Sequence, residues 1–340
     1  MVKKKSVAVL GASGYAGAEL LRLLAVHPYL EVVSVTASSH EGMAIADLYP
    51  SLAAVYPGLT YGPNTAGAAA GSELVFIALP HGASQRLVPE LLGEVGHVVD
   101  LAADFRLKDA ALYPAWYGEE HTCPELLADA VYGLPELGRE QLRGARLVAA
   151  PGCYVTAAAL ALAPLVRSGL VQTTGVVVDA ASGVSGAGRK VADNLQFCAV
   201  DEDFVAYGLL THRHTPEIEQ ASGAQVIFTP HLAPMDRGIL ATCYARANPG
   251  RDEDPLDVLD KAYAAEPFVV VSGRSPSTKA TLGSNTAHLT ARRDRRTGWV
   301  ISLCALDNLV KGASGQAVQC ANAVFGWPEE VGLPRAGLSP

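Results

Sequence analysis

The stretch VAVLGASGYAGAELL, residues 7–21, constrains the fold more than any other part of the chain. A short β-branched run stops at Gly11, glycines recur at positions 14 and 17, and helical spacing then continues until Pro28. Strand, glycine turn and helix in immediate succession define the opening of a parallel α/β layer, in which the turn lets a pyrophosphate approach backbone N–H groups at a helix start. The spacing G-x-x-G-x-x-G departs from the commoner dinucleotide fingerprint, and a purely structural tight turn is the alternative. Further apolar runs follow: EVVSVT (31–36), ELVFIALP (73–80), HVVDLA (97–102) and RLVAAP (146–151), with helical spacing near 84–93. Near-continuous apolar strands separated by helices predict a sheet covered on both faces. The first 150 residues therefore read as a Rossmann-type, doubly wound parallel-sheet domain.

Beyond residue 170 the pattern changes. GVVVDAAS, QVIFTPHL, GILATCYARA, FVVVSG, TAHLTAR and GWVISLCAL have a mixed, alternating character, and helical segments such as PLDVLDKAYAAE (255–266) are fewer. This predicts an α+β domain on a mixed or antiparallel sheet, closed by a helix in ASGQAVQCANAVFGW. A chain of 340 residues is long for one core, and 49% apolar against 18% charged residues supplies enough buried surface for two.

A formal charge of −8 argues against nucleic acid as a partner, so a phosphate-bearing ligand must be held by local donors. The basic start MVKKK precedes an apolar run too short for a signal peptide, and no stretch reaches the ~20 apolar residues of a membrane span. The expectation is a cytoplasmic protein with no membrane partner.

Six cysteines, at 123, 153, 198, 243, 304 and 320, form no CxxC pair and read as free thiols. Cys153 differs from the rest because LVAAPGCYVTAAALALAPL sets it at a strand-to-helix corner. A helix N-terminus lowers a thiol's pKa from about 8.5 by stabilising the thiolate, and its N–H groups stabilise an oxyanion formed on attack at a carbonyl. The alternative is a small buried hydrophobe. A nucleophilic sulfur needs a proton-handling partner, and YGLLTHRHTPEIEQ offers His212 and His214. Thr215 and Pro216 read as N-cap and first helical residue, which places His214 at the positive end of a helix and favours its neutral form. Which histidine moves the proton is left open. Two histidines at i, i+2 with His231 also suggest a metal site, but no cysteine or carboxylate falls nearby at zinc-like spacing, and no metal is expected.

The place where an NAD-type site carries Asp or Glu reads VTASSHEG, with Ser38 and Ser39 in place of the acid. Hydroxyls tolerate a ribose 2′-phosphate, so NADP(H) is favoured, Glu41 being the one acid close by. A nicotinamide cofactor, an activated cysteine and a base together imply reduction of an acyl group through a thioester.

The segments GASGYAGAEL, ALPHGAS, DLAADFRL, VYGLPEL, PGCYVTA, SGVSGAGR, HRHTPEI, FTPHLAPMDRGIL and DNLVKGASGQAVQ carry a resemblance along nearly the whole chain. It resembles the N-acetyl-γ-glutamyl-phosphate reductase family, arginine-pathway relatives of aspartate-semialdehyde dehydrogenase. The resemblance implies NADPH-dependent reduction of an acyl phosphate to N-acetyl-glutamate semialdehyde with release of phosphate. It implies Cys153 as nucleophile, and His214 as acid/base with His212 beside it. Gly11, Ser13, Gly14, Tyr15, Gly17, Ser38, Ser39, Pro80 and Asn308 are implied at the cofactor, and Ser182 and Ser185 at the substrate. Relatives in that family often carry Asn where this chain has Ala150 and Pro where it has Val155.

The resemblance also implies a homodimer or homotetramer, and a last helix that returns to the cofactor domain. The domains are then 1–150 with 313–340 for the dinucleotide and 151–312 for catalysis and oligomerisation. Arg106, Arg189 and Arg237, in irregular segments, are the candidate holders of phosphate and α-carboxylate, since the guanidinium fork suits both. Asp100 and Asp104 read as loop-capping or arginine-orienting groups. Two other readings remain: a reductase of the lysine pathway acting on a carrier-bound aminoadipyl phosphate, and a non-catalytic dinucleotide sensor.

Overall fold

The computed structural model describes residues 3–339. The chain divides into two compact units, Met1–Pro151 with Ala313–Leu333, and Gly152–Gly312 with Pro334–Pro340.

The first unit is built on a six-stranded sheet of β1 (Lys5–Leu10), β2 (Leu30–Val35), β3 (Leu74–Ile77), β4 (His97–Asp100), β5 (Val131–Tyr132) and β6 (Leu147–Ala149). The order is β2-β1-β3-β4-β6-β5 and every pair is parallel. Helix α1 (Tyr15–Leu24) follows β1, and α2 (Ser84–Glu94) follows β3. β3 and β6 are buried at every position, the consequence of a parallel sheet covered on both faces. The strand order reverses at β1, so the crevice beyond the carboxyl ends of β1 and β3 is where ligands bind in sheets of this kind.

The second unit carries β7 (Val176–Gly183), β8 (Val205–Ala206), β9 (Val226–Ala233), β10 (Ile239–Arg246), β11 (Val269–Val271), β12 (Ala287–Asp294) and β13 (Trp299–Leu306). The order is β11-β12-β13-β10-β7-β9-β8. β7 with β9 and β11 with β12 are parallel and the remaining pairs antiparallel, so the sheet is mixed. Helix α3 (Cys153–Arg167) packs on β10 and β13, beside α4 (His214–Ser222) and α5 (Pro255–Tyr263). From Tyr154 to Leu165 every residue of α3 is buried, so this helix forms the centre of the unit's core.

Pro164 lies inside α3 and has no N–H to give to the carbonyl of Leu160. The Tyr263 hydroxyl, from α5, donates to that carbonyl at 2.7 Å and removes the deficit. Tyr263→Phe should therefore cost about 1–3 kcal/mol, the penalty of a buried unpaired carbonyl. In a Pro164→Ala background the restored N–H should shrink this cost. Denaturant midpoints of the four-member cycle measure both, and an equal loss in both backgrounds contradicts the pairing.

Helix α6 (Gly315–Val324) belongs to the first unit. Ser314 donates to Ala16 O at 2.7 Å, Gln316 donates to Gly133 O at 2.9 Å, and Asn322 meets His27 at 3.1 Å. The last residues differ from the expected division, which put all of 313–340 with the first domain. Pro334–Pro340 group with the second unit, because Asn285 N–H bonds to Pro334 O and Leu338 N–H to Leu282 O, each at 2.8 Å.

Candidate active site

Two helix beginnings of the second unit meet at one cavity of about 310 Å³, lined among others by Cys153, Tyr154, His212, Arg213 and His214. Cys153 is the first residue of α3 and is half-buried, and the extended residue Gly152 precedes it with no side-chain cap. Packing leaves no room for a side chain on either flank of this corner. A Cβ on Gly152 would overlap the imidazole of His214, and one on Gly312 would come within 2.8 Å of the Cys153 Cβ. The Gly152 N–H is held at 3.0 Å by Oε1 of Glu217, a carboxylate with no exposed surface. Glu217 lies three residues after His214 on α4, so one helix carries both the imidazole packed on Gly152 and the carboxylate that fixes its backbone.

The start of α4 differs from the expected one. The helix begins at His214, with Arg213 as its cap, so Thr215 and Pro216 lie inside its first turn. Proline is tolerated anywhere in that turn, because those N–H groups have no helical acceptor. His212 takes over part of the capping: its Nδ1 accepts the His214 N–H at 3.1 Å. With Nδ1 an acceptor, the neutral ring carries its proton on Nε2. Burial, helped by the Arg213 charge, lowers the His212 pKa to about 4. Nitrogen-15 NMR should find His212 neutral down to about pH 4 with the proton on Nε2; an Nδ1–H tautomer contradicts the arrangement.

An aromatic cluster holds both rings. Tyr154 stands edge-on to His212 and His214 at centroid distances of 5.7 and 5.9 Å, and His212 meets Phe228 at 5.2 Å. The Tyr207 hydroxyl donates to that of Tyr154 at 3.2 Å, which donates to His231 O at 3.0 Å. Burial raises both phenols, Tyr207 to about 12, so neither ionises at neutral pH. His231 itself stacks on Phe204 at 5.1 Å. Among the described residues no three His, Cys, Asp or Glu side chains converge as a metal-binding group.

The remaining substrate candidates are dispersed. Ser182 lines the cavity, whereas Ser185 is buried and donates to Asp236 O at 2.6 Å. Asn308 also lies in the second unit, where it accepts the Gly238 N–H at 2.7 Å and donates to Ser185 at 3.0 Å. Arg237 pairs with the fully buried Asp307 at 3.2 Å. Arg189 is exposed and outside the lining, and Arg106 lies in the first unit, where it donates to Leu101 O at 2.6 Å.

In the first unit, Gly11, Ser13, Gly14, Tyr15 and Gly17 form the corner between β1 and α1. Gly11 has φ +79°, and a Cβ there would stand 2.6 Å from Ala78 O, just past the end of β3. Gly17 lies against Ala12 with no room for a methyl group. Gly14 caps α1 in extended conformation without a side-chain acceptor. Such a backbone cradle fits a dinucleotide pyrophosphate. Past β2, buried Thr36 accepts the Gly11 N–H at 3.2 Å and donates to Asn64 Oδ1, and Asn64 donates to Ser38 at 2.8 Å. Ser39 and His40 are 2.8 Å apart. Hydroxyls and an amide, with no carboxylate among these bonds, suit a phosphate-bearing ribose. Pro80 is exposed in the loop after β3.

That loop is fixed by Asp104, which accepts the N–H groups of Gly82 and Gln85 and the Ser84 hydroxyl and lies 2.6 Å from His81 Nδ1. His81 stacks on Tyr117 at 4.4 Å and meets Glu119 at 3.1 Å. Asp100 accepts the Ala102 N–H at 2.8 Å. Both aspartates are therefore loop-capping groups.

Sequence reasoning missed Glu217, Arg213, Asn64 and the tyrosine pair. Of these, only Glu217 carries a signal, its i+3 spacing from His214.

Fold and site together define an oxidoreductase of the semialdehyde dehydrogenase class. Residues 6–145 match the family described as "Semialdehyde dehydrogenase, NAD binding domain", and residues 153–308 match "Semialdehyde dehydrogenase, dimerisation domain". An N-acetyl-gamma-glutamyl-phosphate reductase of Symbiobacterium thermophilum is 49% identical over 97% of this chain and 98% of its own, and one of Pseudomonas putida W619 is 47% identical over 98% and 99%. The chain belongs to the N-acetyl-gamma-glutamyl-phosphate reductase family. The fold is shared by aspartate semialdehyde dehydrogenase II of Vibrio cholerae, with TM-score 0.70 at 15% identity over 94% of this chain and 98% of that one. It is also shared by the Candida albicans enzyme solved with NADP, with TM-score 0.67 at 14% identity over 94% and 98%.

Proposed function

We propose that this chain reduces N-acetyl-γ-glutamyl phosphate to N-acetyl-glutamate 5-semialdehyde, releasing phosphate, with NADPH as reductant and a thioester on Cys153 as intermediate. The observation that carries the reading is the corner at Cys153: a half-buried thiol on the first turn of a helix buried from Tyr154 to Leu165, with the His214 ring packed on the preceding glycine.

In this reading the Cys153 sulfur attacks the acyl carbonyl, the bond to the phosphate oxygen breaks, and phosphate leaves with its electron pair. The N–H groups at the start of α3 stabilise both thiolate and oxyanion. His214 takes the thiol proton; once the thioester carbonyl is reduced, the C–S bond breaks as the C=O bond re-forms, and His214 returns its proton to the departing sulfur. His212, held neutral, orients His214 through the bond to its N–H. The reduced dinucleotide, when bound, supplies the hydride. Gly11, Ser13, Gly14, Tyr15 and Gly17 would hold its pyrophosphate, and Ser38 and Ser39 with Asn64 its 2′-phosphate; the acid-free bonds at Thr36 support NADP over NAD.

Six free cysteines fit a reducing, cytoplasmic compartment. Among the described residues no helix is long and apolar enough to cross a membrane. The dimerisation-domain match supports a homodimer or homotetramer.

The test is phosphate-dependent reduction of NADP by N-acetyl-glutamate semialdehyde. Turnover without phosphate, or only with a carrier-bound substrate, overturns the reading.

A further inference from the structure

The cavity at Cys153 is lopsided in charge. Among the described residues, Arg213 is the one permanently charged residue in its lining, and no Asp or Glu is there; Glu217, the nearest acid in sequence, is fully buried. The far wall is apolar or neutral, with Asn194, Leu195, Val205 and Leu232. Arg106, Arg189 and Arg237 are not in this lining. Arg213 instead sits on the chain between the two histidines, directly before the imidazole that packs on Gly152.

We propose that Arg213 is the specificity residue that takes the substrate's α-carboxylate, and that the acid-free lining makes the cavity accept an acylated, uncharged α-nitrogen while refusing an ammonium. The inference rests on the reaction proposed above and names what selects its substrate. A guanidinium fork matches a carboxylate with two parallel bonds, and anchoring it next to His214 fixes how far the chain's other end reaches toward the sulfur. An α-ammonium in the same place meets a like charge, with no carboxylate in the lining to accept its bonds. Acylation removes that charge.

Three probes of one shape separate these effects: N-acetylnorvaline, its carboxamide N-acetylnorvalinamide, and norvaline. Each is tested for protection of Cys153 against alkylation, a readout that needs no turnover. On the parent chain N-acetylnorvaline should protect at least about tenfold better than either of the others, the scale of one charge-assisted bond pair. Arg213→Gln should erase the preference for acid over amide, and Arg213→Lys should keep part of it. In the oxidative reaction, Arg213→Gln should raise KM for the semialdehyde at least about tenfold and leave KM for phosphate unchanged. Survival of the acid preference in Arg213→Gln, a rise in phosphate KM instead, or equal protection by norvaline overturns the assignment. Failure of the parent to turn over would overturn the proposed reaction; the protection experiment judges Arg213 separately.

Discussion

Cys153→Ser should lower turnover at least about a thousandfold, the scale seen when a nucleophile is deleted, while leaving the fold intact. The hydroxyl is smaller than the thiol and fits the same corner against Gly312, so packing is preserved. What changes is the proton: a serine hydroxyl keeps it at any pH where the N–H groups of α3 stabilise a thiolate. The other thiols do not substitute. Four are buried, and burial pushes Cys123 up to about 11, while Cys198 is exposed outside the cavity. Steady-state assays, with circular dichroism as control, decide the matter; a serine variant retaining a tenth of parental turnover contradicts thioester chemistry.

Asp104→Ala should destabilise the first unit by about 3–5 kcal/mol, because a buried charge that several donors share is removed and those donors are left unpaired. For a unit of this size that is roughly a 10 °C fall in Tm. Burial alone would raise the Asp104 carboxyl, but the bonds from His81, Gly82, Ser84 and Gln85 outweigh it and hold it at about 2. A depressed acid confers stability above its unfolded pKa of about 3.9 and loses it as pH falls toward the folded value. The gap between parent and variant should therefore be full at pH 5 to 7 and shrink on acidification toward about pH 2. Asp100 acts in the opposite sense. Burial, and then the Asp104 charge, raise it to about 7, so its contribution falls as pH climbs from about 4 to about 7. Thermal melts across pH test both signs, and a gap independent of pH contradicts the assignment to Asp104.

What the sequence disclosed and what it withheld follow one physical division. Local patterns were legible. The glycine corner at 11–17, the buried parallel strands, the mixed second sheet and the cysteine at a helix start all follow from spacing within a dozen residues. Strand β5 was missed because two residues carry no periodicity. The start of α4 was misplaced by two residues because Thr-Pro satisfies the N-cap rule, while His212 supplies part of the capping upstream. Contacts made across the chain left no trace in the sequence. Nothing near Pro164 announces that Tyr263 answers its missing donor, nothing near DLAADF says that Asp104 fixes the loop after β3, and nothing in LSP announces a bond to Leu282. Arg213 was overlooked because its two histidine neighbours drew the chemistry to themselves.

The unbroken burial of α3 has a consequence for how this protein tolerates change. Its alanines at 157, 158, 159, 161 and 163 are inaccessible to solvent, so a methyl added along them is taken up by shifts of neighbouring side chains and of the helix on which the sulfur rides. The interior thus works as a jig for the reagent at its tip. Overpacked variants of this helix far from the cavity will lose turnover together with stability.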